Sequence, residues 1–327
     1  MVRGFLFFEE CVAEMSSDKP FKTYEQQIEL LKEKGLSIPN ETYAVKVLKD
    51  LSYFALINGY KKAFKQDGLY ENASFEDIVA LFKFDEKLRG ILLKYILIIE
   101  RKIKSSLSYH FSQKYPKCQE DYLNVNNYSY ECVKNRDSIL RLVSTLNSII
   151  KSKNYPYIKH YVNHHDSQIP LWVLINAVSF GKVSKIFALS QQGIQQKVAN
   201  DFAGVTNAEL KNMLELLTHF RNVCAHNERL YNYKTRISLK KSSVFCALNG
   251  PRNDNCSLFS VVICMKFLLD NIEFDEFITE VENIISLLAL NSSVSTQDIV
   301  RDMGFPPEWK KIKNLDIKAV TVKTTIS

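Results

Sequence analysis

Residues 75–110, FEDIVALFKFDEKLRGILLKYILIIERKIKSSLSYH, carry the strongest helical pattern of the chain. Apolar side chains recur every three or four residues from Ile78 to Leu107, which is the period of an α-helix with one buried face. Ser74 and Asp77 form the start signal of such a helix. The pattern predicts one long helix or two helices with a bend. A second apolar run, residues 257–290, has the same period, and we expect both runs to pack against a third helix over residues 206–232.

The composition also favours helices. Ten glycines and eight prolines among 327 residues fall below the usual levels of about 7% and 5%. Few residues are therefore available for the turns of a β-sandwich, a barrel or a glycine-rich nucleotide fold. Hydrophobic residues make up 46% of the chain and charged residues 24%, which excludes a mainly disordered protein. We predict an all-α fold.

Charge and cysteine usage limit the partners and the compartment. The net charge of +7 permits a polyanion such as RNA without requiring one. The seven cysteines are scattered and include no Cys-x-x-Cys pair, which argues against disulfides and against a zinc ribbon. No apolar stretch reaches the roughly 20 residues of a membrane span. We therefore expect a cytoplasmic protein without a membrane partner, metal or cofactor.

The pattern of start and stop signals gives a provisional organisation. We expect an N-terminal extension over residues 1–18, a single helical domain over 19–290 and a C-terminal tail over 291–327. A capping box at Thr23 and Gln26 starts the first helix of the domain. Residues 115–131 are expected to form a loop, and a helix from Leu171 is expected to end at Gly181. The tail contains a compact island, GFPPEW, at residues 304–309.

Residues 219–232, HFRNVCAHNERLYN, place several His, Arg and Asn residues at the end of an apolar helix. At about 100° per residue, His219, Asn222, His226 and Arg229 share one stripe, whereas Arg221 points about 140° away from His226. One interpretation is an exposed polar helix end, because the helix dipole favours cations near a C-terminus. The other is a site for RNA, because His transfers protons near neutral pH and Arg binds phosphate. The residues alone leave both interpretations open.

The same segment resembles the signature of HEPN domains, an Arg followed four to six residues later by His, which Arg221 and His226 match. More of the chain, about residues 19–310, resembles the Abi family of abortive-infection proteins, of the AbiD/AbiF type. The matching pieces, in family order, are KP at 19–20, TYEQQ at 23–27, LSYF at 51–54, GY at 59–60, FEDI at 75–78, FDxxLR at 84–89, IE at 99–100, PLW at 170–172, SFG at 179–181, RNxCAHxxRLYN at 221–232 and GFPPEW at 304–309. The chain departs from the family pattern at Asn176, where that pattern has an acidic residue, and at Lys104, where it favours Arg.

The resemblance implies a HEPN-like helical bundle with additional N- and C-terminal helices. It also implies RNA as the ligand, either a target RNA or a small noncoding RNA, and an anti-phage toxin that acts as a metal-independent endoribonuclease. In such an enzyme Arg221, Asn222 and His226 are the expected catalytic residues. The expected RNA-binding residues are Arg229, Tyr231, Lys234, Arg236, Lys240 and Lys241, with Tyr233 as a further ring that stacks on bases.

Two alternatives remain at this point. One is a non-cleaving module that holds a small noncoding RNA and regulates a partner, and the other is a helical scaffold that binds no nucleic acid. HEPN relatives are commonly dimeric, and Arg221 and His226 diverge on a single helix. We therefore also predict a homodimer in which two copies of this segment share one positively charged cleft.

Overall fold

The structure, a computed structural model, describes residues 20–164, 168–202, 204–240, 244, 247–248 and 255–316. In these ranges the strands are limited to a short antiparallel hairpin of β1 (Lys65–Gln66) and β2 (Leu69–Tyr70). All other regular elements are helical, so the predicted all-α fold is confirmed. The predicted extension over residues 1–18 lies outside the described residues.

The α-helices of the described ranges are numbered here in chain order. They are α1 (Tyr24–Glu33), α2 (Glu41–Leu51), α3 (Phe75–Lys114), α4 (Cys118–Leu123), α5 (Arg136–Ser152), α6 (Pro156–His164), α7 (Leu171–Leu174), α8 (Phe180–Leu189), α9 (Gln192–Asn200), α10 (Asn207–Ala225), α11 (Leu258–Leu268), α12 (Asn271–Asn291) and α13 (Thr296–Asp302). Short 3-10 or π turns occur at Phe54–Asn58, Lys61–Phe64, Val125–Asn127, Val133–Asn135, Ile175–Ala177 and Trp309–Asn314. No helix in the described ranges combines the length and the apolar character that crossing a membrane requires.

By compactness, the described residues divide between Val79 and Ala80 into two units. The first unit contains α1, α2, the hairpin and the first turn of α3. Its α1 starts at the predicted capping box. After α1 the chain turns at Gly35, whose φ is +87°. A Cβ atom there would lie 2.9 Å from the carbonyl oxygen of Tyr70, so the turn requires glycine.

The second unit is built around α3, which is one continuous helix of 40 residues rather than two helices with a bend. Its apolar stripe is fully buried at Leu92, Ile96, Ile99, Ile103 and Leu107. Tyr95 packs edge-on against Phe277 of α12, with ring centroids 5.2 Å apart. The period of residues 75–110 thus gives the correct buried face.

The α8–α10 packing corrects one expectation about a helix end. The helix predicted from Leu171 to Phe180 breaks at Ala177, and Gly181 lies inside α8 instead of ending a helix. A Cβ atom at Gly181 would lie 3.1 Å from Cγ2 of Thr218 on α10. The glycine therefore permits a close approach of two helices. In the sequence, a glycine with this role looks the same as a glycine that ends a helix.

Two further expectations differ from the structure. The apolar run over residues 257–290 divides into α11 and α12, because Asp270 caps the N-terminus of α12 with a capping box to Glu273. The loop expected over residues 115–131 contains α4.

The island at residues 304–309 belongs to the packed core. Gly304, at a φ of +78°, follows α13, and Phe305 then packs against Phe259 of α11 with ring centroids 5.0 Å apart. Trp309 packs edge-on against Phe305 at 4.9 Å. Phe305 thus joins the island to a helix that lies before residue 290 in the chain.

Candidate functional site at the end of α10

The candidate site lies on the last turn of α10. This helix continues without interruption to Ala225, and His226 is its C-cap residue, whose backbone N–H donates to the carbonyl oxygen of Asn222 at 2.9 Å. The helix predicted over residues 206–232 is therefore wrong beyond Ala225. The local bend that would bring Arg221 and His226 of one chain together does not occur.

The end of α10 is a hydrogen-bonded turn of the Schellman type. The N–H of Glu228 donates to the carbonyl oxygen of Val223 at 3.1 Å, and the N–H of Asn227 donates to Cys224 at 3.3 Å. Asn227 adopts a φ of +58°, in the left-handed region that Asn tolerates better than most residues. This turn ends the helix despite the continuing polar pattern of the sequence, since it satisfies carbonyl groups that would otherwise be free.

A buried ion pair on α3 holds the segment that follows this turn. Oδ2 of Asp85 accepts from Nη1 of Arg89 at 2.6 Å and from the N–H of Leu230 at 3.0 Å, while Oδ1 accepts from the N–H of Tyr231 at 2.7 Å. Arg89 also donates to the carbonyl oxygen of Glu228 at 3.3 Å. We call this arrangement the Asp85–Arg89 clamp. Its several hydrogen bonds offset the cost of burying the two charges.

Sequence reasoning missed the clamp. It noted FDxxLR and RLYN as two separate pieces of a resemblance, and the structure shows that they are two halves of one contact. A usable signal was present, because an Asp and an Arg four residues apart within an apolar helical run predict a buried ion pair.

Cys224 is buried, and its thiol lies close enough to Asp85 and Arg89 for their charges to act on it. Burial raises the pKa of its thiol to about 12, and the neighbouring Asp85 carboxylate contributes in the same direction. A thiol with so high a pKa stays protonated at neutral pH, so Cys224 acts as a small apolar core residue.

The three predicted catalytic side chains are available to a ligand. Asn222 and His226 are exposed, and Arg221 is half-buried. Nε of Arg221 is buried without a hydrogen-bond partner. Within the described residues, none of the three side chains forms a hydrogen bond or an ion pair.

Tyr231 corrects one predicted role. The side chain is only 1% exposed, and burial raises the pKa of its hydroxyl to about 12. Its ring therefore has no free face on which a base can stack. Tyr233, the other candidate ring, is half-buried and packs edge-on against Phe220 at 5.1 Å.

The predicted basic segment runs back along α10. Lys240 donates its backbone N–H to Oδ1 of Asn212 at 3.0 Å, and Nδ2 of Asn212 donates to the carbonyl oxygen of Ser238 at 3.1 Å. Asn212 is 13 residues from Ala225, so Lys240 lies about 20 Å from the end of the helix. Lys234, Arg236 and Lys240 are exposed, Arg229 is half-buried, and Lys241 lies outside the described residues.

The fold and the site together define an all-α protein with Arg, Asn and His at the end of a helix, next to a segment that the Asp85–Arg89 clamp holds. The model of the Abi-like protein family matches residues 46–232, which include the clamp and the whole of this site. The chain belongs to the family of Abi-like proteins, which suggests a role in abortive infection, a defence against phage. No curated protein and no solved structure matches the chain. The described residues contain no group of three or more His, Cys, Asp or Glu side chains that could hold a metal ion.

Proposed function

We propose that this Abi-like protein is a cytoplasmic anti-phage toxin that cleaves RNA as a metal-independent endoribonuclease of the HEPN type. The observation that carries the proposal is the unpartnered, half-buried guanidinium of Arg221 on the same helix end as the exposed side chains of Asn222 and His226. A buried donor without a partner costs free energy. A phosphate oxygen would satisfy it with a charge-assisted hydrogen bond.

The chemistry needs a proton acceptor, a proton donor and a cation. His226 takes the proton of a ribose 2′-hydroxyl, and the resulting oxygen attacks the adjacent phosphorus. Arg221 stabilises the extra negative charge of the phosphorane, and Asn222 orients the phosphate or His226. The bond to the 5′-oxygen breaks, and that oxygen leaves with a proton from water, which the protonated His226 then restores. The products are a 2′,3′-cyclic phosphate and a 5′-hydroxyl, with no net change in oxidation state.

The helix geometry supports a shared site in a homodimer. On a regular helix Arg221 and His226 point about 140° apart with about 7.5 Å of rise between them. A two-fold axis beside this turn would bring His226 of each copy to Arg221 and Asn222 of the other.

Replacement of His226 provides the main test. We expect His226→Ala to abolish cleavage and toxicity while the protein remains folded, because the side chain is exposed. The matched control is His219→Ala, an exposed histidine two turns earlier on the same helix. Cleavage by the wild-type protein should continue in EDTA, with cyclic phosphate on the products. Wild-type rates for the His226→Ala protein, or strict Mg²⁺ dependence, would contradict the proposal.

Mixing two inactive variants tests the shared site. A mixed dimer of Arg221→Ala and His226→Ala chains retains one intact Arg221–His226 combination across the axis, so partial cleavage should return. Full activity in a stable monomer would overturn the shared arrangement.

The second candidate is an RNA-binding module that holds a noncoding RNA and regulates a partner without cleaving it. The exposed Lys234, Arg236 and Lys240 along α10 favour this function, because they offer a basic track on one side of the helix. It predicts that RNA copurifies with the protein and stays intact on incubation with or without EDTA, with the same residues in contact with phosphate only.

A further inference from the structure

A second acid–base pair on α3 has one oxygen without a partner. Oε1 of Glu100 lies 2.8 Å from Nζ of Lys104, one turn further along the helix. Oε2 of Glu100 is buried and accepts no hydrogen bond, and the residue as a whole is only 7% exposed. Buried carboxylate oxygens are almost always satisfied in native proteins. An unsatisfied one indicates a missing N–H or O–H donor.

This pair lines a cavity of about 360 Å³. Leu97, Glu100, Lys104 and Ser105 of α3 form one side, and Trp172 and Asn176 form part of the other. The volume is within the range of roughly 300–1,000 Å³ that small-molecule sites occupy. The cavity is therefore large enough for a nucleotide-sized ligand.

The wall opposite Glu100 offers a large aromatic surface. Trp172 is 53% exposed, which leaves part of its indole ring available for a contact. Nδ2 of Asn176 donates to the carbonyl oxygens of Trp172 at 2.9 Å and of Val173 at 3.3 Å. These bonds hold the turn that carries the wall and leave Oδ1 of Asn176 as an acceptor.

We propose that this cavity binds a nucleobase that carries an exocyclic amino group. The base stacks on Trp172, and its amino group donates to Oε2 of Glu100. Arg101, which also lines the cavity, is exposed and has no partner within the described residues, so it is available to the attached phosphate. Uracil is disfavoured, because it presents a carbonyl oxygen to the carboxylate where cytosine presents an amino group.

The residues that line the cavity include none of Arg221, Asn222 and His226. Glu100 lies 15 residues beyond Asp85 on the same helix, or about 22 Å along its axis, and Asp85 holds the segment that follows His226. The inference rests on the proposed function in one respect, since it assigns the base to RNA. It adds that the protein recognises a base some distance from the phosphate that it cleaves.

The test uses the full-length protein with cytidine 5′-monophosphate and uridine 5′-monophosphate, which differ mainly at the amino position. We expect the cytidine nucleotide to bind at least about tenfold more tightly. The signal is quenching of Trp172 fluorescence; the other tryptophan, Trp309, is buried in the core. Equal affinities for the two nucleotides, or no binding of either at millimolar concentration, would overturn the proposal without any variant being made.

Three variants identify the residues responsible, and calorimetry measures binding where Trp172 is replaced. Glu100→Gln should bring the affinity ratio to about one, because its amide can accept from the cytosine amino group or donate to the uracil oxygen. Trp172→Ala should weaken both nucleotides, whereas Trp172→Phe retains a ring and serves as the matched control. A full preference for cytidine in Glu100→Gln would contradict the assigned contact.

Failure of this inference and failure of the proposed function give different results. If the protein prefers the cytidine nucleotide but cleaves no RNA, the proposed base-binding cavity is supported and the ribonuclease assignment is wrong. If it cleaves RNA but binds neither nucleotide in this cavity, the reverse holds.

Discussion

Helix α3 carries two ion pairs of the same spacing that differ in what completes them. In both Asp85–Arg89 and Glu100–Lys104 the acid precedes the base by four residues. Both oxygens of Asp85 accept hydrogen bonds, and their donors include two backbone N–H groups of the segment after His226. One oxygen of Glu100 has Lys104 as its partner, and the other has none.

The difference separates two uses of a buried carboxylate. The chain itself supplies every donor at Asp85, so that pair fixes the backbone beside the candidate catalytic turn. At Glu100 the chain leaves one buried acceptor without a partner, beside a cavity that the exposed Trp172 also lines. Saturation of the carboxylate thus distinguishes Asp85 from Glu100, although burial of the two acids is similar.

Removal of the Asp85 charge is the variant with the largest expected effect, and it tests whether the Asp85–Arg89 pair is structural. We expect Asp85→Asn to lower the free energy of unfolding by about 3–5 kcal/mol, because it leaves the Arg89 guanidinium buried without its counter-ion. Urea denaturation followed by circular dichroism measures the loss. A loss below about 1 kcal/mol, typical of a surface pair, would mean that the clamp is not structural.

The double variant Asp85→Asn/Arg89→Met is the control for this prediction. It removes both charges, so no uncompensated charge remains buried. It should be more stable than Asp85→Asn alone. If the double variant were the less stable of the two, the uncompensated charge would not be the cause of the loss.

Thiol labelling reports whether the clamp stays closed in the native protein. The pKa of Cys224 is raised to about 12 by burial, so at pH 8 its thiolate is about a thousandfold scarcer than that of a thiol with an ordinary pKa of about 9. We expect iodoacetamide to modify the exposed Cys132 much faster than Cys224, as measured by peptide mass spectrometry. Asp85→Asn should accelerate labelling at Cys224 and leave Cys132 unchanged. Equal rates at the two cysteines in the wild-type protein would contradict a closed clamp.

The sequence predicted what depends on neighbours in the chain. The buried stripe of α3 and the capping box at Thr23 follow from spacing over a few residues. Two helix ends were misplaced. Gly181 was predicted to end a helix, but it lies inside α8 at the close approach of that helix to Thr218. The helix predicted to continue to residue 232 ends at Ala225, because the chain turns at Asn227. The approach of Thr218 is a tertiary contact that no local pattern reveals. The turn at Asn227 is local, but the continuing polar pattern hid the stop signal that Asn provides.

The sequence also predicted only part of the candidate site. Arg221, Asn222 and His226 were found because they form one short motif. The bonds from Asp85 to Leu230 and Tyr231 join residues about 145 positions apart, so no local pattern reveals them. For the same reason Tyr231 was assigned to RNA from its residue type, and its burial became evident only in the fold.

Gly181→Ala tests how rigidly the wall opposite Glu100 is held. The turn that carries Asn176 leads into α8, whose packing on α10 depends on the close approach of Gly181 to Thr218. Alanine gains about 1 kcal/mol in helix propensity but overlaps Cγ2 of Thr218. That methyl group is held in place because the hydroxyl of Thr218 donates to Leu214 at 2.7 Å. Overpacking of this kind costs about 1–3 kcal/mol, so we expect a net loss of about 1 kcal/mol in thermal unfolding.

The companion variant Gly181→Ala/Thr218→Ser removes the overlapping methyl group and keeps the hydroxyl. It should recover the stability lost in the single variant. A Gly181→Ala protein more stable than wild type would show that the two helices separate easily and that the wall is adaptable.

The smallest expected effect is that of Glu100→Gln on stability. The variant keeps the size of Glu100, and its amide oxygen still accepts a hydrogen bond from Lys104. The side chain of Lys104 is 14% exposed, against 5% for Arg89, and it lines the cavity, so water reaches its charge more easily than that of Arg89 after the loss of Asp85. We therefore expect the free energy of unfolding to fall by less than about 1 kcal/mol in the same urea assay. A loss as large as that of Asp85→Asn would show that Glu100 is a structural residue, and the contrast between the two pairs of α3 would no longer hold.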